Sequence, residues 1–578
     1  MMKNLILILS VVISFSLNAQ SFLRTNGQDI VDGKGNTIIL RGLGLGGWMV
    51  QEGYMLQTSS FAGPQHEIKE KISELIGKEN TKTFYEAYLV NGITKADIDS
   101  LNSWGFNSVR LPMHYNLYTP PIENEKNGEI SWLEKGFAMT DSLLKWCAGN
   151  KMYLILDLHA APGGQGNDAN ISDYDKTKPS LWESEANKQK MIALWRKLAE
   201  RYKNEPWIGG YDIINEPNWN FTEGENPNGL DEKYNKPLRQ LMIDITKAIR
   251  DVDKNHIIII EGNGWGNNYN GIFPLWDDNM AISFHKYWNY NTTESIQFAL
   301  DFREKYNAPV WLGESGENSN VWFKDVISLV ESHNIGWAFW PMKKVDNVAG
   351  VTSVNKNPEY ASLLDYWENG GAKPSAHFAY TALMQLANDY KIENVTIKPD
   401  VIDAMFRQVQ TNDTKAYKEH RVPGIIFATE YDLGTEGYAY SDSDFVNYRV
   451  STGKNVRWNS GNKMRNDGVD IQDCADTKSN GYEVFDIKDN EWLLFTVNVE
   501  QSGIYNINIR YSGNETNGKL HLDINEETRS ATVKLPPIKN YGSVILSNVT
   551  LNKGVNKIKV VFEKGGFQLN YLTFSKIK

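Results

Sequence analysis

Eight times between residues 37 and 342 a short apolar run ends in polar or charged side chains and a turn, and helical patterns fall between the runs. Residues 213–217, Ile213-Ile214-Asn215-Glu216-Pro217, show the form. The β-branched pair belongs to the end of a buried strand, and Pro217 cannot donate to a ladder, so the Asn-Glu pair is left at the strand's carboxyl end. Residues 310–316, Val310-Trp311-Leu312-Gly313-Glu314-Ser315-Gly316, repeat it with a second glutamate. The other runs are 37–42, 104–112, 152–159, 256–261, 280–288 and 335–342. Alternation of this kind predicts an α/β chain, a (β/α)8 TIM barrel over residues 20–390 whose carboxyl face carries the polar strand ends; a helix over 376–388 would close it.

Two glutamates at the mouths of two strands supply what glycosidic bond hydrolysis needs, one to protonate the leaving oxygen and one to attack the anomeric carbon. Arg110 follows an apolar run and should point into the barrel mouth, where a buried guanidinium must pair with a carboxylate. His285 and Tyr287 sit two apart and share one face of their strand.

With Asn215-Glu216-Pro217 followed by Gly313-Glu314-Ser315-Gly316, this part of the chain resembles glycoside hydrolase family 5. The resemblance covers residues 22 to about 390 and implies Glu216 as acid/base and Glu314 as nucleophile. It implies further that Asn215 bonds the sugar 2-hydroxyl, that His159 holds the hydrogen-bond network near the substrate, and that Arg110 pairs with a catalytic carboxylate. His285 and Tyr287 would stand beside the nucleophile, with the Tyr287 hydroxyl donating to it, and Trp340 would lie under the sugar in the −1 subsite. The glycine-rich stretch Leu43-Gly44-Leu45-Gly46-Gly47-Trp48 has no Walker lysine and opens no dinucleotide unit, which argues against phosphate binding. It is similar to the stretch after strand 1 in exo-acting β-1,3-glucanases of the family, from which the chain departs at Glu52-Gly53-Tyr54-Met55.

At 578 residues the chain is long enough for a second domain. Its 60 basic and 71 acidic residues disfavour nucleic acid and anionic membrane as partners. The 18 tryptophans suit a saccharide binder, because aromatic rings stack on the C–H faces of sugars, although core packing uses the same residues. Residues 1–19 read as a signal peptide, too short to remain as a membrane span, so the expected localisation is secreted or exported. Cys147 and Cys474 fall in different predicted domains, which leaves no expected disulfide.

Residues 391–421 read as a polar linker with an amphipathic pattern at 400–410. From 422 to 578, short strands recur between glycine and asparagine turns, predicting a C-terminal all-β sandwich. Asn480-Gly481-Tyr482-Glu483-Val484, Glu491-Trp492-Leu493 and Gly565-Gly566-Phe567-Gln568-Leu569-Asn570 resemble a family 6 carbohydrate-binding module. That resemblance implies Tyr482, Tyr541 and Gln568 as its sugar-binding residues. Thr429 and Asn570 stand where acidic residues would help hold calcium, so no metal is expected.

Together these readings imply a retaining β-glycosidase that needs no cofactor and acts on a polysaccharide or oligosaccharide, most closely a β-1,3-linked glucan. Endo-action on β-1,4-glucan or mannan is the alternative within the family. A non-catalytic glycan-binding protein of the cell envelope is the alternative of another class.

Overall fold

A computed structural model describes residues 21–577 except 127, 222–223, 448–456 and 514–516; the expected signal peptide lies outside the described residues. Eight parallel strands close into a barrel: β1 (Arg41–Gly44), β2 (Ser108–His114), β3 (Tyr153–Ala160), β4 (Ile208–Asp212), β5 (Ile258–Ile260), β6 (Met280–Lys286), β7 (Val310–Gly316) and β8 (Trp337–Trp340), with β8 pairing back to β1. Every residue of β2, β3, β6 and β7 is buried, because a barrel strand packs inward on its neighbours' side chains and outward on helices. Between β5 and β6 the chain makes only a four-residue helical turn, Asn263–Gly266, and a loop, so the outer ring is incomplete there.

A hairpin of Arg24–Asn26 and Asp29–Val31 plugs the barrel floor. It places Leu23 and Ile30 against the inward-facing Ile155, Ile257, Ile259 and Trp311. The hairpin turn falls at Gly27, where φ is +58°, and the Asp32-Gly33 and Lys34-Gly35 pairs make a second turn, closed by Asp32 N–H donating to Asn36 O.

Two helices after β8 correct the expected ring. Helix α1 (Asn320–Ser332) lies between β7 and β8, α2 (Ala376–Asp389) follows β8, and α3 (Pro399–Gln410) comes after that. Helix α2 covers the long helical excursion after β1, packing on Gln65–Ile76 and Lys78–Gly92. The place beside α1 is filled by α3, with Val401 and Met405 in the barrel's hydrophobic cluster and Phe406 edge-on to Phe106 at 4.9 Å. Proline in its first turn and buried residues at helical spacing explain why this helix forms within a stretch that otherwise reads as a polar linker. The barrel unit therefore runs on through Gln410.

The C-terminal domain is a sandwich of two sheets. In chain order its main strands are β9 (His420–Val422), β10 (Gly424–Phe427), β11 (Ile471–Asp473), β12 (Tyr482–Val484), β13 (Trp492–Val499), β14 (Gly503–Gly513), β15 (Gly518–Ile524), β16 (Ile538–Leu551), β17 (Gly554–Lys564) and β18 (Gln568–Lys576). One sheet runs β9-β13-β17-β15; the other runs β11-β12-β18-β14-β16, with β10 also on β18. Strand β14 shows the period of two that builds the core, turning Tyr505, Ile507, Ile509 and Tyr511 inward.

Candidate active site

The carboxyl ends of the barrel strands bring the expected residues into one buried polar cluster. Arg110, on β2, is 1 % exposed and its guanidinium spans the cluster. Nε donates to Asp212 Oδ2 at 2.9 Å and Nη1 to Glu314 Oε2 at 2.8 Å. Nη2 donates to Asn215 Oδ1 at 2.8 Å and Glu261 Oε1 at 3.0 Å, while Asp157 Oδ2 lies 3.3 Å from Nη1. A planar cation with several donors suits such a site, where one residue must satisfy several acceptors from different strands.

Glu314, on β7, takes the Tyr287 hydroxyl on Oε1 at 2.8 Å and Arg110 on Oε2. Both oxygens are thereby fixed. Glu216, just past the end of β4, has φ +40°, a strained backbone for a side-chain-bearing residue, and its N–H donates to Glu261 Oε2 at 2.6 Å. Burial, reinforced by the Glu314 charge and opposed by His285, raises the Glu216 carboxyl above its ordinary range. One carboxylate oxygen of Glu216, one of Glu314 and one ring nitrogen of His285 all lie within 4.8 Å of one another. That closeness matches the separation of about 5 Å at which a second carboxylate attacks directly, with no room left for a water.

His285 stands within 4.8 Å of the nucleophile but bonds to the acid. Its Nδ1 meets Glu216 Oε1 at 2.6 Å, while Tyr287 and Arg110 bond the nucleophile. Its Nε2 lies 3.2 Å from Glu261 Oε1. Burial would lower the imidazole, but the charges of Glu261 and Glu314 and the bond to Glu216 outweigh it and hold His285 protonated well above its ordinary range. Burial would likewise raise Glu261, yet His285 and Arg110 keep it low.

His159, on β3, is held by Asp157 Oδ2 at 2.9 Å on Nδ1 and faces the Asn215 amide at 3.4 Å on Nε2. Since Asn215 Oδ1 accepts from Arg110, its NH2 group is the end left to donate toward a bound hydroxyl. The Trp340 indole stacks on the His159 ring at 4.8 Å and 12°, and its Nε1 donates to the Tyr54 hydroxyl at 2.9 Å. The glycine-rich stretch seats this indole. A Cβ on Gly44 would stand 2.5 Å from Trp340 Cε3, and one on Gly46 would stand 2.6 Å from Cζ2. Gly46→Ala must therefore displace the indole, and kcat/KM is expected to fall by about 100-fold, the cost of misplacing a site wall by an ångström. Kinetics on an aryl β-glycoside would check this, and an unchanged value would mean the ring has no part in binding.

Several site residues were passed over in sequence. Asp157, Asp212 and Glu261 sit inside apolar strand runs, and a charge there is itself the signal, because only a paired site tolerates it. Glu52 and Tyr54 lie on the loop after β1, without periodicity to mark them. Burial, then the charges of Glu314 and Glu216, raises Glu52 well above its ordinary range.

In the sandwich, the three expected sugar ligands all lie on the sheet β11-β12-β18-β14-β16. Tyr482 on β12 packs against the sandwich core, Tyr541 lies on β16 three strands farther along the sheet with its hydroxyl 3.3 Å from Cys474 Sγ, and Gln568 Oε1 on β18 accepts from Ser512. At the doubtful calcium position, Asn570 and Arg510 donate to Asp476 Oδ2, so a cation side chain already neutralises that carboxylate.

A closed parallel barrel with paired carboxyls at its mouth has the arrangement that glycosidic bond hydrolysis requires. The family model Cellulase (glycosyl hydrolase family 5) matches residues 68–346, and the model Carbohydrate binding module (family 35) matches 465–574. Residues 68–346 are thus similar to family 5 glycoside hydrolases, and residues 465–574 to a family 35 module in place of the family 6 resemblance. A β-xylosidase of Phanerodontia chrysosporium is 27% identical over 59% of this chain and 75% of its own length. Endoglucanase C of Acetivibrio thermocellus is 27% identical over 53% and 91%. A probable glucan 1,3-beta-glucosidase A of Aspergillus clavatus is 24% identical over 44% and 57%. Among solved structures, a β-glucanase from Saccharophagus degradans covers 64% of this chain and 94% of its own at 17% identity and a TM-score of 0.38. No helix among the described residues is long and apolar enough to cross a membrane.

Proposed function

We propose that the protein is an exported retaining β-glycosidase that removes terminal sugars from a β-glucan, with β-1,3 linkages the leading substrate. The observation that carries the catalytic part is the pair Glu216 and Glu314 with oxygens within 4.8 Å, one raised toward its protonated form and the other clamped by Tyr287 and Arg110. Glu314 attacks the anomeric carbon as the glycosidic C–O bond breaks, and Glu216 gives its proton to the departing oxygen. Water then attacks the same carbon, its proton passes to Glu216, and the C–O bond to Glu314 breaks, so the anomeric configuration is retained. Asn215 NH2 donates to the neighbouring hydroxyl, a bond that strengthens as positive charge develops at the anomeric centre.

Terminal action is supported by the loop after β1. Glu52 is buried and Tyr54 half-buried beside the acid, the nucleophile and Trp340, and Lys344, paired with Glu317 at 2.8 Å, lies over the Tyr54 ring. This walls one side of the site, as a pocket for a chain end requires. The resemblance of an Aspergillus clavatus glucan 1,3-beta-glucosidase supports the linkage. Endo-action on β-1,4-glucan is the second reading, favoured by the match to the Acetivibrio thermocellus endoglucanase.

Early products from residues 20–578 on laminarin, mixed-linkage glucan, cellulose derivative and glucomannan separate the two readings. Glucose alone from laminarin is expected; a ladder of oligosaccharides from another polymer would overturn the terminal reading. Activity is expected to fall as pH rises through the elevated value of Glu216, because the acid must be protonated to act.

A further inference from the structure

The C-terminal module meets the barrel at the catalytic rim. Trp458 belongs to the hydrophobic cluster of the barrel and not to that of the sandwich, and its Nε1 donates to Asn466 Oδ1 at 3.0 Å. Its ring lies 6.5 Å from that of Trp288. Trp288 directly follows Tyr287, the donor to Glu314, and has φ +62°, a left-handed backbone that a bulky residue keeps only where its surroundings hold it. Trp458 is one of those surroundings.

The same segment grips the loop that leaves the nucleophile strand. Asn466 Nδ2 donates to Asn318 O and Asn320 Oδ1, each at 2.9 Å, and Asn466 O accepts from Asn320 N at 3.1 Å. Asp467 Oδ1 accepts from Asn320 Nδ2 at 2.8 Å. Asp400, in the first turn of α3, accepts from both Asn466 N at 2.7 Å and Asn320 Nδ2 at 3.0 Å. All five side chains are buried, so each half of the network would be left with unpaired polar groups if the other withdrew. The segment is in turn fixed to the sandwich by Arg465, whose Nε donates to Asp467 at 2.8 Å and whose guanidinium lies 3.6 Å from the Tyr431 ring centre. A module on a free tether would share neither a hydrophobic cluster nor a closed amide network with the barrel.

We propose that residues 458–467 of the module brace the active site. Trp458 and Asn466 are positioning residues: the first holds Trp288, and with it Tyr287; the second holds Asn318 and Asn320, and with them the loop that follows Glu314. The module then sets the placement of the nucleophile and its hydroxyl donor whether or not it binds sugar itself. This rests on the glycosidase reading above.

The test uses the full chain carrying Trp458→Ala, Trp458→Phe or Asn466→Ala. Active sites are counted by covalent labelling with a 2-deoxy-2-fluoro β-glycoside bearing a dinitrophenyl leaving group, and turnover of an aryl β-glycoside is expressed per labelled site. Thermal melts show at which temperature each variant is folded. Turnover per labelled site is expected to fall by about 10- to 100-fold in Trp458→Ala and Asn466→Ala, the range for a small misplacement of reacting groups, and to recover largely in Trp458→Phe. If only the melting temperature or the labelled fraction falls, with turnover per site that of the wild type, the contact is structural and the proposal is overturned. A folded wild-type chain that takes no label at Glu314 would overturn the catalytic reading, and the brace with it.

Discussion

Glu314→Ala is expected to reduce hydrolysis by at least about 10⁴-fold, since removing a covalent nucleophile abolishes the pathway and leaves only binding and electrostatic contributions. The variant has a second, more specific signature. Without the side chain a small anion such as azide can occupy the space between Tyr287 and Arg110, whose donors at 2.8 Å now lack their acceptor. Azide should then restore turnover of an activated aryl β-glycoside and give the α-glycosyl azide, because it attacks once, from the face the nucleophile used. Glu216→Ala should also respond to azide, but with the β-glycosyl azide, because the anion now replaces the water that resolves the covalent intermediate. Proton magnetic resonance of the two azide products reads the anomeric configuration directly. Identical configurations would exchange or remove the assigned roles, and full activity of Glu314→Ala would remove the nucleophile altogether.

The barrel residues that the sequence and its family resemblance located share one property: each lies on a barrel strand or just past its carboxyl end. A buried strand announces itself by its apolar run, and the barrel places the run's last residues at one face, so Arg110, His159, Asn215, Glu216, His285, Tyr287, Glu314 and Trp340 could be named in order. What the pattern does not carry is partner choice. His285 and Tyr287 share a face, yet whether His285 meets the acid or the nucleophile depends on a ring placement within a few ångströms. Glu52 and Tyr54 ride on a loop with no period. The amphipathic pattern at 400–410 marks helix α3, but nothing local says that its stripe turns toward α1. Strand β16 shows little alternation, because half of its residues are exposed. Contacts such as Asn320 with Asn466 join distant parts of the chain through side-chain amides, and no local rule predicts them.

Arg110→Met is expected to destabilise the protein by about 3–5 kcal/mol at neutral pH, the usual cost of removing one partner from a buried ion pair. The reason is local: the guanidinium is the cation shared by Asp157, Asp212, Glu261 and Glu314, and methionine fills its volume without its donors. The pH dependence distinguishes charge from packing. In the wild type Glu261 is held below its ordinary value against burial by His285 and Arg110, so its stabilising contribution is present above the unfolded value near 4 and is lost as pH falls through the folded one. Without Arg110 burial acts on Glu261 with only His285 to oppose it, and Asp212, already raised by burial, is raised further. A raised acid binds more protons in the folded state than in the unfolded one, so its penalty is absent below about pH 4 and grows as pH climbs toward the raised value. Both effects widen the gap between wild type and variant as pH increases. Urea unfolding at pH 4 and pH 7 should therefore show a difference that is small in acid and severalfold larger at neutrality; the same difference at both would mean that Arg110 acts by packing alone. Turnover should fall with stability but remain low even where the variant is folded, because Glu314 loses a donor and the Asn215 amide loses the contact that orients it.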